Sequence, residues 1–204
     1  MKRELSLPFH QLDWPKKNRV ARLFLEHALL ISDVMVAVEL ACRKHNNAQL
    51  LMPDDIQRDP FRWTVKINSR QTCGVIPDRV FGLKFTDKAG RKQQVWFFLE
   101  ADCGTMPIRR SNPEQSSFYR KLLAYEATWT QNIHGTKLGI HRFRVLTVTS
   151  GAERLNALRE ACRTLKRGHG LFLFTDATIL HEQSDFFALR WQTCREGETA
   201  GLLD

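Results

Sequence analysis

The chain has 204 residues, 43% of them apolar, with 31 Lys plus Arg against 22 Asp plus Glu, a formal charge of +9. Disorder is not the default reading of that composition, which suits one domain, or a domain with an appendage, around a buried core. No stretch approaches about 18 uncharged apolar residues and the opening MKRELSLPFHQLDW lacks a signal-type apolar segment, so a cytoplasmic protein without a membrane partner is expected.

Five cysteines, Cys42, Cys73, Cys103, Cys162 and Cys194, are too widely spaced for a thiolate metal site, and their odd number fits reduced thiols. The basic surplus is uneven: residues 1–70 carry +4, residues 71–145 carry +6 and residues 146–204 carry −1. A polyanion binds such a surface by releasing counterions, which makes nucleic acid the leading partner class; the plainer reading is a protein that is simply basic.

Residues 20–44, rich in Leu, Ala and Val and free of Gly and Pro, predict a helix, with Ser32-Asp33 as a place for a break. Leu23, His27, Leu30, Ile31, Val34, Val38 and Ala41 share one stripe of it, so His27 reads as a core histidine. Residues 52–60 read as a loop, and residues 61–67 alternate like a strand. Two stronger strands follow at 75–85 and 94–101, and the turn signal between them predicts an antiparallel pair.

Residues 116–131 predict a helix that buries Phe118, Leu122, Tyr125 and Trp129. A strand at 143–149 leads into Ser150 and Glu153, spaced as a capping box for a helix that turns Leu155, Leu158, Cys162 and Leu165 inward. Gly168 and Gly170 stop it before a strand at 171–175, which makes 143–175 a βαβ unit with parallel strands. The expectation is therefore one α/β domain, a mixed sheet flanked by helices, over residues 20–194. Residues 1–19 form an N-terminal extension and residues 195–204 a flexible tail.

Three carboxylates stand out. Asp78 interrupts an apolar strand, and Glu100 and Asp102 follow the run Val-Trp-Phe-Phe-Leu, where a lone charge is costly without compensation. Positions 100 and 102 face the same way on a strand, and if Asp78 lies on the neighbouring antiparallel strand the three acids converge at one edge of the sheet, an oxygen set suited to Mg²⁺ or Mn²⁺. Such an ion activates water and withdraws charge from a phosphodiester. Lys121, at the border of the apolar stripe of its helix, is placed to stabilise developing negative charge. The plainer readings are a strand-edge Asp78, a salt-bridged Glu100, a loop Asp102 and a solvated Lys121.

At these residues the chain resembles the PD-(D/E)XK nuclease superfamily, with Pro77-Asp78 as the first half and Glu100-Ala101-Asp102 where acidic-x-Lys is usual. More narrowly, Ile76-Pro77-Asp78, the block FFLEADCGT at 97–105, Lys121-Leu122-x-x-Tyr125 and residues 145–150 look like the replication-relaxation family, over roughly residues 20 to 190. That family is associated with plasmids and integrative elements and is related to the MobC-type relaxases, regarded as restriction-endonuclease-like in fold.

The resemblance implies metal binding by Asp78, Glu100 and Asp102, strand nicking at a transfer origin, and DNA and other mobilisation proteins as partners. Family members commonly carry an amino-terminal winged helix, so a truncated catalytic domain or a divergent short form is expected. One departure matters: the expected lysine is Asp102. Either Lys121 supplies its charge from the helix, or acids and metal act alone, or activity is lost and a DNA-binding shell remains. Glu39, off the main stripe of the first helix, is left out of the set.

A relaxase cuts through a tyrosine nucleophile or through metal-activated water. Of Tyr119 and Tyr125, the latter lies in the apolar stripe and reads as a packed core phenol. The seven histidines do not cluster, which favours a carboxylate-held ion. The rival functions are a non-catalytic DNA-binding module of a mobilisation or replication complex, and a scaffold for a protein partner.

Overall fold

A computed structural model of the chain describes residues 14–53, 61–87, 89–112 and 114–204. Most of the loop expected at 52–60, and most of the extension expected at 1–19, lie outside the described residues.

Helix α1 (Trp14–Lys44) starts ahead of residue 20 and passes through Ser32-Asp33 without a break. The Ser32 hydroxyl donates back to the Ala28 carbonyl at 2.9 Å, so this serine stays within the helix instead of capping a new one. The strands are β1 (Ala48–Leu51), β2 (Trp63–Lys66), β3 (Thr72–Val75), β4 (Arg79–Thr86), β5 (Lys92–Asp102), β6 (Phe143–Thr149), β7 (Phe172–Asp176), β8 (Trp191–Gln192) and β9 (Thr199–Ala200). The remaining helices are α2 (Phe118–Thr130), the single turn α3 (Ile133–Thr136), α4 (Ala152–Arg163) and α5 (Ala177–Glu182). No helix among the described residues is long and apolar enough to cross a membrane.

Seven strands form one mixed sheet in the order β1-β4-β5-β6-β7-β8-β9. The β4–β5 pair is antiparallel, and β5–β6 and β6–β7 are parallel, as the turn signal and the βαβ pattern predict. The strand expected at 61–67 forms as β2 but pairs only with β3, in a separate two-stranded sheet. The strand expected at 75–85 is two strands, parted at Ile76-Pro77-Asp78, because Pro77 has no N–H for a ladder.

Alternation along β5 builds two cores. Trp96 and Phe98 face α2, α4 and the β2–β3 hairpin, whereas Phe97 and Leu99 face α1 and α5. With both faces covered, β5 is apolar throughout its centre, as a strand in the middle of a three-layer α/β/α stack must be. Gly82 pairs with Trp96, and a Cβ there would lie 3.1 Å from the indole, so the ring occupies the space a side chain would need.

Three local expectations fail for identifiable reasons. Trp129 is 42% exposed because α2 ends one residue later, beyond its covering layer, while Phe118, Leu122 and Tyr125 are buried as expected. No capping box forms at Ser150, since Gly151 occupies the cap position of α4 without a side-chain bond. Residues 195–204 are not a loose tail: they supply β9, bury Leu202, and are clamped by Arg190, whose guanidinium meets Asp204 at 3.0 Å.

Candidate functional site

Glu100 and Asp102 lie two apart at the carboxyl end of β5, on the face that Trp96 and Phe98 turn toward α2 and α4. Glu100 is only 2% exposed. Its neighbour in register on β6 is Thr147, whose buried hydroxyl has no hydrogen-bond partner. Helix α2, opened by Ser117 accepting from the Arg120 N–H, places Lys121 and Tyr125 one turn apart above the carboxylate. The Lys121 ammonium donates to Glu100 Oε2, and the Tyr125 hydroxyl donates to Oε1 at 2.5 Å.

These groups perturb one another. Burial pushes the Glu100 carboxyl above the ordinary range, Lys121 pulls against it, and the nearby charge of Asp78 adds to the rise. Burial alone would lower Lys121, yet the charges of Glu100 and Asp78 hold its ammonium above its usual value. Burial and the adjacent Glu100 charge raise the Tyr125 phenol well above the ordinary value of 10.0.

Asp78 is pinned to β5 on both sides of Glu100. Its N–H donates to the Leu99 carbonyl at 3.0 Å, and its Oδ2 accepts from the Ala101 N–H at 2.8 Å. The break after β3 makes this possible, because the residue following Pro77 folds onto the neighbouring strand before β4 begins. His27 Nε2 of α1 stands 3.2 Å from the same Oδ2. Its side chain is 35% exposed, so His27 sits at the rim of the site and not in the core.

Asp102 has its own partners. Arg154 of α4 grips it bidentately, Nε to Oδ2 at 2.7 Å and a terminal nitrogen to Oδ1 at 3.0 Å, and the Thr149 hydroxyl donates to Oδ2 at 2.9 Å. Each of the three acids is thus held by a basic side chain from a different helix: Asp78 by His27, Glu100 by Lys121 and Asp102 by Arg154.

The structure therefore brings Asp78, Glu100 and Lys121 into one neighbourhood and ties Asp102 into an ion pair beside it. No three His, Cys, Asp or Glu side chains stand where they could jointly hold a metal ion among the described residues. Two carboxylates remain as a donor set, and Mg²⁺ is commonly held by one or two carboxylates plus substrate phosphate oxygens. A cavity of about 200 Å³, bounded by Gly74, Val75, Ile76, Glu100, Lys121 and Tyr125, opens on Glu100 and Lys121, and Asp78 is not part of its wall. Arg109 stacks on the Tyr119 ring of α2 at 3.8 Å, and Arg120 of the same helix reaches the Thr72 carbonyl at 3.0 Å.

Sequence reasoning missed His27, Thr149 and Arg154 as members of this cluster. Arg154 alone carried a signal, a basic residue in the first turn after a strand expected to run parallel to its neighbour. Residues 13–141 match the family model described as replication-relaxation, a span that holds His27, Asp78, Glu100, Asp102, Lys121 and Tyr125 and stops short of Thr149 and Arg154. No curated protein and no solved structure matches the chain.

Proposed function

Because the chain belongs to the replication-relaxation family, we propose that it is a divalent-metal-dependent DNA endonuclease of relaxase type, nicking one strand during mobilisation or replication of a plasmid or integrative element. The reading includes a restriction-endonuclease-like core related to that of the MobC-type relaxases. One observation carries it: Asp78 brackets the buried Glu100 on β5 while Lys121 reaches the same carboxylate from α2. A buried acid with shifted titration, a neighbouring acid and an ammonium at a cavity mouth is an arrangement enzymes use for chemistry.

In this reading Asp78 and Glu100 hold Mg²⁺ or Mn²⁺. The ion would supply charge withdrawal from the scissile phosphodiester and an activated water. Lys121, one third exposed, donates to a non-bridging phosphate oxygen as negative charge grows there. Tyr125 keeps Glu100 in one rotamer, His27 does the same for Asp78, and Asp102 with Arg154 fixes the end of β5 on the same face as Glu100. The arginines of the loop after β5 supply sequence-independent affinity for the DNA backbone.

A second reading is a DNA-binding accessory module without catalysis. It is favoured by the same ion pairs, which leave each acid matched by a base in the absence of substrate. A supercoiled plasmid incubated with Mg²⁺ or Mn²⁺ separates the two. Nicking that needs the ion and disappears in Asp78→Ala and Glu100→Ala supports the enzyme. Salt-sensitive DNA binding without nicking, unchanged in both variants and in chelator, establishes the module instead.

A further inference from the structure

Helix α1 has two apolar faces, and the fold uses one. Leu30, Val34, Val38 and Ala41 pack on the sheet, whereas Leu25, Leu29, Val36 and Leu40 point away from it and are 57, 52, 57 and 57% exposed. At about 100° per residue, these four fall within a sector roughly 60° wide, opposite the sheet-facing stripe. Six of the eight large apolar side chains exposed among the described residues belong to this helix. Single exposed leucines are ordinary, but a helix that is apolar on opposite faces is normally covered on both. A groove runs along each side of the Val36–Leu40 ridge, one of about 360 Å³ toward α5 and one of about 450 Å³ toward β1.

The outer face reads alike from either end. Leu25 and Leu40 are equidistant from the point between Ser32 and Asp33, and so are Leu29 and Val36. The charges obey the same symmetry: Arg22 pairs with Glu26 at 2.7 Å and Arg43 with Glu39 at 3.0 Å, one pair beyond each end of the ridge centre. Glu26 and Glu39 leave the helix on opposite flanks, roughly 140° apart at about 100° per residue, so an antiparallel copy does not bring them together. Ser32 and Asp33, both exposed, flank the centre, where each would lie beside its own copy; Ser32 is small enough for close approach, and Asp33 is turned to His181 of its own chain at 3.1 Å.

We propose that two copies of the chain associate through this face, with their α1 helices antiparallel about a two-fold axis passing between Ser32 and Asp33. Leu25 then opposes the partner's Leu40, and Leu29 opposes the partner's Val36. The interface is isologous, the usual form for a homodimer. Rows of side chains at i and i+4, Leu25–Leu29 and Val36–Leu40, are the ridges that helix pairs interdigitate, and the grooves beside them receive the ridge of the other copy. The ridge is about 22 Å long at about 1.5 Å per residue. The ridge and the walls of the two grooves beside it form the surface a second copy would cover, against roughly 800 Å² per partner in a standard specific interface. His27 lies on the same helix, so this pairing fixes the separation of the two candidate sites.

Sedimentation equilibrium of the full chain across the micromolar range tests this. The expected mass is twice that of the chain, falling on dilution. Leu29→Glu and Val36→Lys should each give monomers with unchanged circular dichroism, since both positions are exposed. The double variant should dimerise again, because the introduced carboxylate and ammonium face each other across the axis. A wild-type monomer at every concentration, or a dimer indifferent to both single changes, overturns the interface. A double variant that stays monomeric overturns the antiparallel register. Plasmid nicking does not enter the measurement, so this result stands apart from the proposed activity.

Discussion

Removing the Arg154 side chain strands a buried carboxylate. The Asp102 carboxylate is 4% exposed and accepts three hydrogen bonds, two from Arg154 and one from Thr149. Arg154 is itself 19% exposed and also donates to the Met106 carbonyl at 2.5 Å. Arg154→Met keeps most of the aliphatic stem and deletes the guanidinium, which leaves Asp102 with a single neutral donor. Breaking a buried pair from one side costs about 3–5 kcal/mol, a large share of the roughly 5–15 kcal/mol that holds a domain folded. Asp102→Asn combined with Arg154→Met removes both charges, so the pair should destabilise by clearly less than the sum of the single changes, with a coupling of about 2 kcal/mol. Urea unfolding at neutral pH, followed by circular dichroism, supplies the numbers. A loss under about 1 kcal/mol for Arg154→Met, the range of solvent-exposed pairs, would refute the burial argument. The same variant frees Asp102 beside Glu100, so Mn²⁺ should raise its midpoint more than that of the wild type if the acids can share an ion.

Two further outcomes follow from Asp185, away from the cluster, and from Thr147, beside Glu100 on β6. Burial would raise the Asp185 carboxyl, but hydrogen bonds from His45, Lys44 and the Phe187 N–H outweigh it and hold the carboxyl at about 2 instead of 3.8. A depressed folded value means the contribution is complete above about pH 4 and is lost as pH falls toward 2. At most about 2 kcal/mol should disappear in that window, and urea melts of Asp185→Asn should lack that portion of the acid sensitivity. Thr147→Val replaces a buried hydroxyl that has no partner with a methyl of similar shape, and should stabilise by about 1 kcal/mol, raising the melting midpoint by about 2–4 °C. A drop in midpoint would show that the hydroxyl is satisfied by bound water.

The central layer of the fold was legible because burial writes itself into sequence. The apolar runs of β5, β6 and β7 and the inward stripes of α2 and α4 were readable as such, since a strand covered on both faces has few alternatives. The edges were less so. Strands β1, β8 and β9 are short and patterned only by their neighbours, and the β2–β3 hairpin looks like sheet while belonging to a different layer. For the site, the acids were conspicuous because each carboxylate stands against an apolar background. Of their partners only Lys121 was. His27 shares the apolar stripe of α1, so periodicity assigns it to the core, and only the packing of that helix on the sheet delivers it to Asp78. Arg154 and Thr149 lie some fifty residues from Asp102 in sequence, joined to it only by the parallel order of β5 and β6.

That order also explains why the cluster is where it is. Strand β5 is the switch in the sheet, antiparallel to β4 and parallel to β6. Its carboxyl end consequently meets the start of β4, which brings Asp78, and the end of β6, which brings Thr149 and, through the next helix, Arg154. Crevices in α/β sheets open at such switch points, because neighbouring connections leave in different directions. Here the crevice contains acids that each meet a basic side chain. A phosphodiester entering alone would have to draw Lys121 away from Glu100, which would expose a buried carboxylate to a second negative charge. If a divalent cation accompanies it, the positive charge at Glu100 is replaced as Lys121 turns to the phosphate. The ion pairs are thus compatible with a reaction that requires metal and substrate together, and they predict that Lys121→Met, which leaves Glu100 with only Tyr125, should bind Mn²⁺ more tightly in calorimetry than the wild type while losing nicking. Unchanged Mn²⁺ affinity in that variant would mean that Glu100 takes no part in holding the ion.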